Sequence, residues 1–101
     1  MSIKKQYLKS RPECKITFKL GPINDAQSVS IVGSFNNWNP AETPMNRLKN
    51  GTFSQTCYLE TGKPVEFRYL INNTTWITEE EADGFVDTGL GDHQQNAVIK
   101  L

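Results

Sequence analysis

Apolar and polar residues alternate along several short stretches of the chain. The alternation is clearest at 65–71, VEFRYLI, where valine, phenylalanine, tyrosine and isoleucine occupy every second position. Successive side chains of a β-strand point to opposite faces, so this pattern predicts a strand that buries one face. The same reasoning predicts strands at residues 15–20, 28–31, 52–59 and 96–101, with a shorter extended segment at 75–77.

Turn-forming residues separate these segments, and no long stretch keeps the period of an amphipathic helix. Asn50-Gly51 predicts a two-residue hairpin turn, and Asn72-Asn73 predicts a second tight turn. Short strands joined by turns are typical of a β-sandwich, and we expect an all-β, immunoglobulin-like antiparallel sandwich. Its core is predicted to contain Ile16, Phe18, Val29, Ile31, Phe53, Leu59, Val65, Phe67, Tyr69 and Val98.

The length of 101 residues fits one small domain. Residues 1–12 are polar and aperiodic, which predicts either a mobile tail or a strand added to a sheet edge. We expect a flexible tail at 1–10 and a single domain at 11–101. No apolar stretch suits a signal sequence or a bilayer span, which favours a soluble, cytoplasmic protein. Cys14 and Cys57 are too few for a disulfide framework, and we expect free thiols.

Charge is balanced, with 11 Lys+Arg against 11 Asp+Glu, so no field of one sign attracts nucleic acid or an anionic membrane. A neutral ligand fits this composition better. The acidic residues of 79–92 do not have the spacing of an EF-hand loop, and no metal site is predicted. The single histidine, His93, has no nucleophile motif beside it, and the carboxylates do not face one another across a cleft. We therefore expect a non-catalytic protein without a cofactor.

The two tryptophans, Trp38 and Trp76, both follow asparagine-containing turns at strand ends. A pyranose ring has an apolar face of C–H groups and a rim of hydroxyls, so a neutral-sugar site combines flat aromatic rings with polar side chains. Arg68, on the polar face of its strand, and Asn96, which opens the last strand, can supply hydrogen bonds. The alternative is that one or both indoles pack in the core, the commoner place for tryptophan in a small domain.

Several segments of the chain carry a family resemblance. In chain order, these segments are VSIVGSFNNWNP at 29–40, Phe67-Arg68-Tyr69, Trp76, EADGF at 81–85 and Asn96-Ala97-Val98-Ile99. In this order they resemble carbohydrate-binding module family 48. This is the early-set domain at the N-terminus of isoamylases and branching enzymes, and the glycogen-binding domain of the AMP-activated protein kinase β-subunit. The resemblance covers about residues 11–101. It implies an immunoglobulin-like sandwich that binds α-1,4-glucans such as glycogen, starch or maltooligosaccharides.

By position, the resemblance implies a glycan site made of Trp38, Arg68, Trp76, Leu90, Gln94 and Asn96. The two tryptophans match the stacking residues. Arg68 stands where glycogen-binding members have a lysine, so a planar guanidinium replaces the point charge of an ammonium group. Asn96 matches an asparagine that binds sugar hydroxyls, Leu90 is an apolar contact and Gln94 a polar one. The implied partner is an α-glucan, with a glycan-metabolising enzyme or a second copy as a further partner. The alternative is a protein-interaction module or homodimer that keeps the sandwich without the sugar site.

Overall fold

The computed structural model describes residues 2–89, 91 and 94–101. Within them, nine strands form two antiparallel sheets that enclose one hydrophobic core. A 3₁₀ turn, Ser34–Asn36, follows the third strand. The strands are β1 (Ser2–Tyr7), β2 (Glu13–Leu20), β3 (Val29–Gly33), β4 (Asn46–Arg47), β5 (Phe53–Glu60), β6 (Val65–Ile71), β7 (Thr75–Ile77), β8 (Gly84–Asp87) and β9 (Gln95–Ile99).

The first sheet has the order β1-β2-β5-β4. The second has the order β3-β6-β9-β8, and β7 pairs with the remaining part of β6. Two antiparallel sheets stacked on a common core confirm the predicted all-β, immunoglobulin-like sandwich. Across the part of the chain that the structure describes, no helix has the length and apolarity needed to cross a bilayer.

The core is built from alternate residues of both sheets, because each strand turns every second side chain inward. The Phe67 ring on β6 lies at its centre, with its centroid 5.2 Å from that of Phe18 on β2 and 5.6 Å from that of Tyr69. Both contacts are edge-to-face, a geometry that contributes about 0.5–1.5 kcal/mol per pair beyond area burial. The fully buried neighbours include Ile16, Leu20, Val29, Ile31, Phe53, Ala97 and Ile99.

The last strand presents the opposite face to the one expected from the sequence. Ala97 and Ile99 are buried in the core, whereas Val98 lies opposite Glu66 on the outer face and is only half-buried. The prediction of Val98 as a core residue is therefore wrong, because a shift of one residue reverses every side chain of a strand. The observed register also turns Asn96 to the outer face of the second sheet.

The hairpin at Asn50-Gly51 joins β4 and β5 in the predicted antiparallel sense, but with a longer loop. The Leu48 N–H donates to the Thr52 carbonyl (2.7 Å) and the Gly51 N–H donates to the Leu48 carbonyl (2.9 Å), leaving three loop residues. Only Gly51 among them has a positive φ, at 87°. A two-residue type I′ turn needs two such residues, so the two-residue prediction is wrong and the loop is the three-residue type with glycine last.

Cys14 and Cys57 are free thiols. Cys14 lies opposite Leu59 and Cys57 opposite Ile16, so the two cysteines are not cross-strand neighbours. Burial raises the pKa of the Cys57 thiol above its ordinary value. The thiol is therefore held in its neutral form, which is the less reactive one.

The N-terminal segment forms strand β1, which pairs with β2 along its whole length. The structure therefore has an edge strand at 2–7 in place of the flexible tail expected at 1–10, because a hydrogen-bonded ladder with β2 orders this segment. The Lys5 ammonium contacts Asp83 Oδ2 (2.6 Å) and donates to the Lys100 carbonyl (3.0 Å), while the Lys100 N–H donates to the same carboxylate oxygen (2.7 Å). These hydrogen bonds tie β1 to the second sheet, and they hold the pKa of Asp83 below its ordinary value.

We predict that Asp83→Asn destabilises the fold at neutral pH but not in acid. A carboxyl group with a depressed folded-state pKa stabilises the fold above its unfolded pKa, and this contribution is lost as the pH falls through the folded pKa. The loss at about pH 7 should stay within about 1 kcal/mol, because the ion pair is partly exposed. Thermal melts of both proteins from about pH 7 to about pH 2.5 measure the difference. A difference that is constant over this range would contradict the assignment.

Candidate functional site

The loop after β3 is held in its conformation by the hydrogen bonds of one buried side chain, Asn36. Its Oδ1 accepts the Gly33 N–H (3.0 Å), and its Nδ2 donates to the Ile31 carbonyl (2.9 Å) and to Thr43 Oγ1 (3.0 Å). A buried amide with all of these partners stabilises a loop, whereas an unsatisfied one would cost free energy. Asn36 therefore fixes the path of the chain just before Trp38.

Trp38 has a backbone conformation that is uncommon for a bulky residue. Its φ is 58°, in the left-handed region, directly after Asn37 with the same φ of 58°. The Trp38 N–H donates to the Gly33 carbonyl (2.9 Å), which closes the loop. Such a conformation costs roughly 1–3 kcal/mol and persists only where the surroundings impose it. The result is an indole that remains 40% exposed at the end of β3.

Gly33 is required by the close approach of β3 to β6. A Cβ atom at this position would lie 2.4 Å from the Glu66 carbonyl oxygen and 2.8 Å from Phe67 Cβ. Real Cβ atoms do not approach other atoms so closely. The residue is extended, with φ at −165°, so space and not backbone conformation demands glycine here.

Trp76 is presented by the hairpin between β6 and β7. Asn72 and Asn73 have φ values of 53° and 59°, and the Thr74 N–H donates to the Ile71 carbonyl (3.0 Å). These features define the type I′ turn that matches the twist of paired strands. Trp76 lies opposite Leu70 on the outer face of the second sheet and is 41% exposed.

The same hairpin is anchored by the side chain of Asn72. Its Oδ1 accepts the backbone N–H groups of Gln27 (2.8 Å) and Ser28 (3.1 Å), and its Nδ2 donates to the Asp25 carbonyl (2.9 Å). The turn that carries Trp76 is thus fixed to the loop before β3. The positions of both tryptophans therefore depend on hydrogen bonds made by asparagine side chains.

Arg68 lies on the outer face of β6, as the alternation predicts, but it is only 7% exposed. Its Cζ atom is 5.5 Å from the centroid of the Trp76 ring, and its guanidinium donates to Gln94 Oε1. A guanidinium over an indole face contributes about 0.5–2 kcal/mol, more as water is excluded. Arg68 thus supports one face of Trp76 and holds Gln94 beside it.

Asn96 and Glu66 form a second polar pair on the same face. The Asn96 Nδ2 donates to Glu66 Oε1 (3.3 Å), and Asn96 is 8% exposed. The Glu66 N–H donates to Ser34 Oγ (3.2 Å), so this pair is joined to the loop that carries Trp38. Polar groups from β6, β9 and that loop therefore meet at one place.

These side chains line one open groove of about 510 Å³, which we call the first groove, formed by Ser34, Trp38, Glu66, Arg68, Trp76, Thr88, Gln94 and Asn96. Leu90, which the resemblance also implied, lies outside the described residues. Its described lining residues include one carboxylate and one guanidinium, a balance that favours neither cations nor anions. Among the described residues, no group of three or more His, Cys, Asp and Glu side chains is placed to hold a metal ion.

Three lining residues of the first groove were missed by sequence reasoning. Glu66 shares the outer face of β6 with Arg68, and strand alternation alone could have found it. Ser34 and Thr88 lie in a turn and a loop, where no periodic pattern indicates the direction of a side chain.

The family model for carbohydrate-binding module 48 (isoamylase N-terminal domain) matches residues 23–84. This range is more than half of the chain and includes Trp38, Arg68 and Trp76. The chain belongs to carbohydrate-binding module family 48. Modules of this family bind carbohydrate and are not themselves catalytic. No curated protein matches the chain.

In this family-48 module, Gly33 is the residue whose change tests the packing beneath the site. Gly33→Ala should lower the free energy of unfolding by about 1–3 kcal/mol, because the added methyl forces β3 away from β6. Urea unfolding followed by circular dichroism measures the loss.

Gly21→Ala is the matched control for this change. A Cβ atom at Gly21 meets nothing within 4 Å, and this glycine does not have a positive φ. The control should therefore be close to wild type. Equal unfolding midpoints for the Gly33 and Gly21 variants would show that the close approach is not a constraint.

Proposed function

We propose that this module binds α-1,4-glucan through the first groove, with Trp38 and Trp76 stacking on successive sugar rings. The observation that carries the proposal is the convergence of two partly exposed indoles, from separate loops, on one groove with polar side chains between them. The C–H face of a pyranose packs on an indole, which offers a large apolar surface with few rotatable bonds. Burial of either ring in the core would have removed this support.

The polar lining suits the hydroxyl rim of a sugar. The exposed Gln94 amide can donate and accept, the Glu66 carboxylate accepts, and the Arg68 fork offers several N–H donors from a fixed plane. Planar groups of this kind can bind two neighbouring hydroxyls at once. An open groove with few hydrogen bonds predicts weak binding, on the order of micromolar to millimolar for short maltooligosaccharides.

The proposal extends to a non-catalytic role for the whole chain. Glycoside hydrolysis uses two carboxyl groups across the scissile bond, and Glu66 is the one carboxylate among the described lining residues of the first groove. A module that binds without cleaving can hold a glycan-metabolising enzyme on its polysaccharide. We place it in the cytoplasm, where the free thiols Cys14 and Cys57 would stay reduced.

We predict that Trp38→Ala and Trp76→Ala each weaken glucan binding by about tenfold or more, since each removes one stacking ring. Mobility in native gels containing glycogen or amylopectin measures retention, and thermal melts check that the fold is kept. Tyr58→Ala is the matched control, because Tyr58 is 52% exposed on β5 of the other sheet and does not line the first groove. A wild-type protein that migrates unretarded in every glucan gel would refute the proposal.

A further prediction separates support of Trp76 by Arg68 from direct contact with sugar. In a Trp38→Phe background, Trp76 is the remaining tryptophan, so its accessibility can be measured by acrylamide quenching. Arg68→Met removes the guanidinium that covers the indole, and quenching should rise while glucan affinity falls severalfold. Arg68→Lys should lie between the two, since it keeps the charge without the planar fork. Unchanged quenching in Arg68→Met would contradict the supporting role.

A further inference from the structure

A second groove adjoins the first and shares three of its lining residues, Arg68, Trp76 and Gln94. Its volume is about 570 Å³. Beyond the shared residues it is lined by Thr78, Glu79, Glu80, Phe85 and Gln95. Trp76 is therefore a wall common to both grooves.

The second groove exists because the second sheet divides along β6. Strand β9 pairs with β6 at 65–67, and β7 pairs with β6 at 69–71, on the same side. Arg68 lies at the point of division. Beyond it, β7 and β9 are joined by a side-chain hydrogen bond, from Thr78 Oγ1 to the Gln95 carbonyl (2.7 Å). The gap between diverging strands leaves an open channel beside Trp76.

We propose that a bound glucan continues over Trp76 into the second groove, where Phe85 stacks against a further sugar ring. This inference rests on the proposed function of the first groove. Phe85 lies on β8, at the edge of the sheet, and 44% of its surface is exposed. An exposed phenylalanine at the end of a groove already walled by an indole continues the same aromatic lining.

The polar groups of the second groove also fit a neutral polyhydroxyl chain. Glu79 is fully buried, with Oε1 accepting the Tyr69 hydroxyl (2.8 Å) and Oε2 accepting the Glu81 N–H (3.1 Å), so its carboxylate belongs to the floor. Among the described lining residues, the exposed polar groups are the amides of Gln94 and Gln95 and the carboxylate of Glu80. The described lining has two carboxylates, Glu79 and Glu80, against one guanidinium, Arg68, and this balance disfavours phosphorylated or acidic sugars.

The two grooves require a ligand that bends. Trp76 lies opposite Leu70, on the outer face of the sheet, whereas Phe85 lies opposite Ala97, on the face that turns toward the core. A chain that contacts both rings must curve around the divided part of the sheet. The axial linkage of an α-1,4-glucan gives such a curved chain, while a β-1,4-glucan is nearly straight. The second groove should therefore add affinity only for α-linked chains long enough to pass Trp76.

Chain length provides the test. Isothermal titration with maltotriose and with maltoheptaose compares wild type, Phe85→Ala and the control Tyr58→Ala. Phe85→Ala should weaken maltoheptaose binding by roughly three- to tenfold, the effect of losing one ring contact, and leave maltotriose binding unchanged. Phe85→Leu, which keeps an apolar side chain without a ring, should show the same selective loss. Thermal melts establish that both variants are folded.

The outcomes distinguish this inference from the function on which it rests. If wild type binds neither sugar, the proposed function fails and the second groove fails with it. If wild type binds both and Phe85→Ala leaves both affinities unchanged, or weakens both equally, only the second groove is overturned. Sedimentation of the same samples tests the alternative that a second copy of the protein binds at this edge of the sheet. A wild-type dimer that Phe85→Ala converts to monomer, with sugar affinities unchanged, would assign this edge to a second copy and overturn the inference.

Discussion

The hydrogen-bonded ladder of β6 is the interaction on which both the core and the site depend. This strand pairs with β3 on one side and with β9 and β7 on the other, so its register determines the position of three further strands. Alternation then divides its side chains between two environments. Phe67 and Tyr69 face the core, while Glu66 and Arg68 face the first groove. The strand that organises the hydrophobic interior therefore also carries the polar centre of the site.

The exposed tryptophans are held by three neighbouring side chains, of which Asn36 and Arg68 are buried and Asn72 is exposed. The free-energy cost of the left-handed Trp38 backbone is offset by the hydrogen bonds of Asn36. The hairpin that carries Trp76 is fixed in place by the hydrogen bonds of Asn72. Arg68 adds a third support, because its guanidinium packs on the Trp76 ring. A ring that is already positioned loses little conformational freedom when a sugar binds, which matters most for a shallow site with few hydrogen bonds.

Much of the fold and part of the site could be predicted because they depend on local pattern. Period-two alternation indicates β2, β3, β5 and β6, and the two asparagines at 72–73 indicate a tight turn. The burial of Arg68 could not be predicted, since it depends on Trp76 and Gln94, which lie on other segments. The packing of the loop around Asn36 was likewise invisible, because a motif shows residue types and not the partners of a side chain.

The order of residues alone establishes six of the strands, the tight turn at 72–73 and the presence of two tryptophans at strand ends; these strands are β2, β3, β5, β6, β7 and β9. It does not establish the face that β9 buries, because Ala97, Val98 and Ile99 form an apolar run compatible with either register. Pairing with β6 decides it, placing Val98 outside and Asn96 in the first groove. The sheet divides at Arg68 only because β7 and β9 pair with successive parts of the same side of β6. The second groove arises from this division. Such features belong to contacts between distant segments, which no local pattern records.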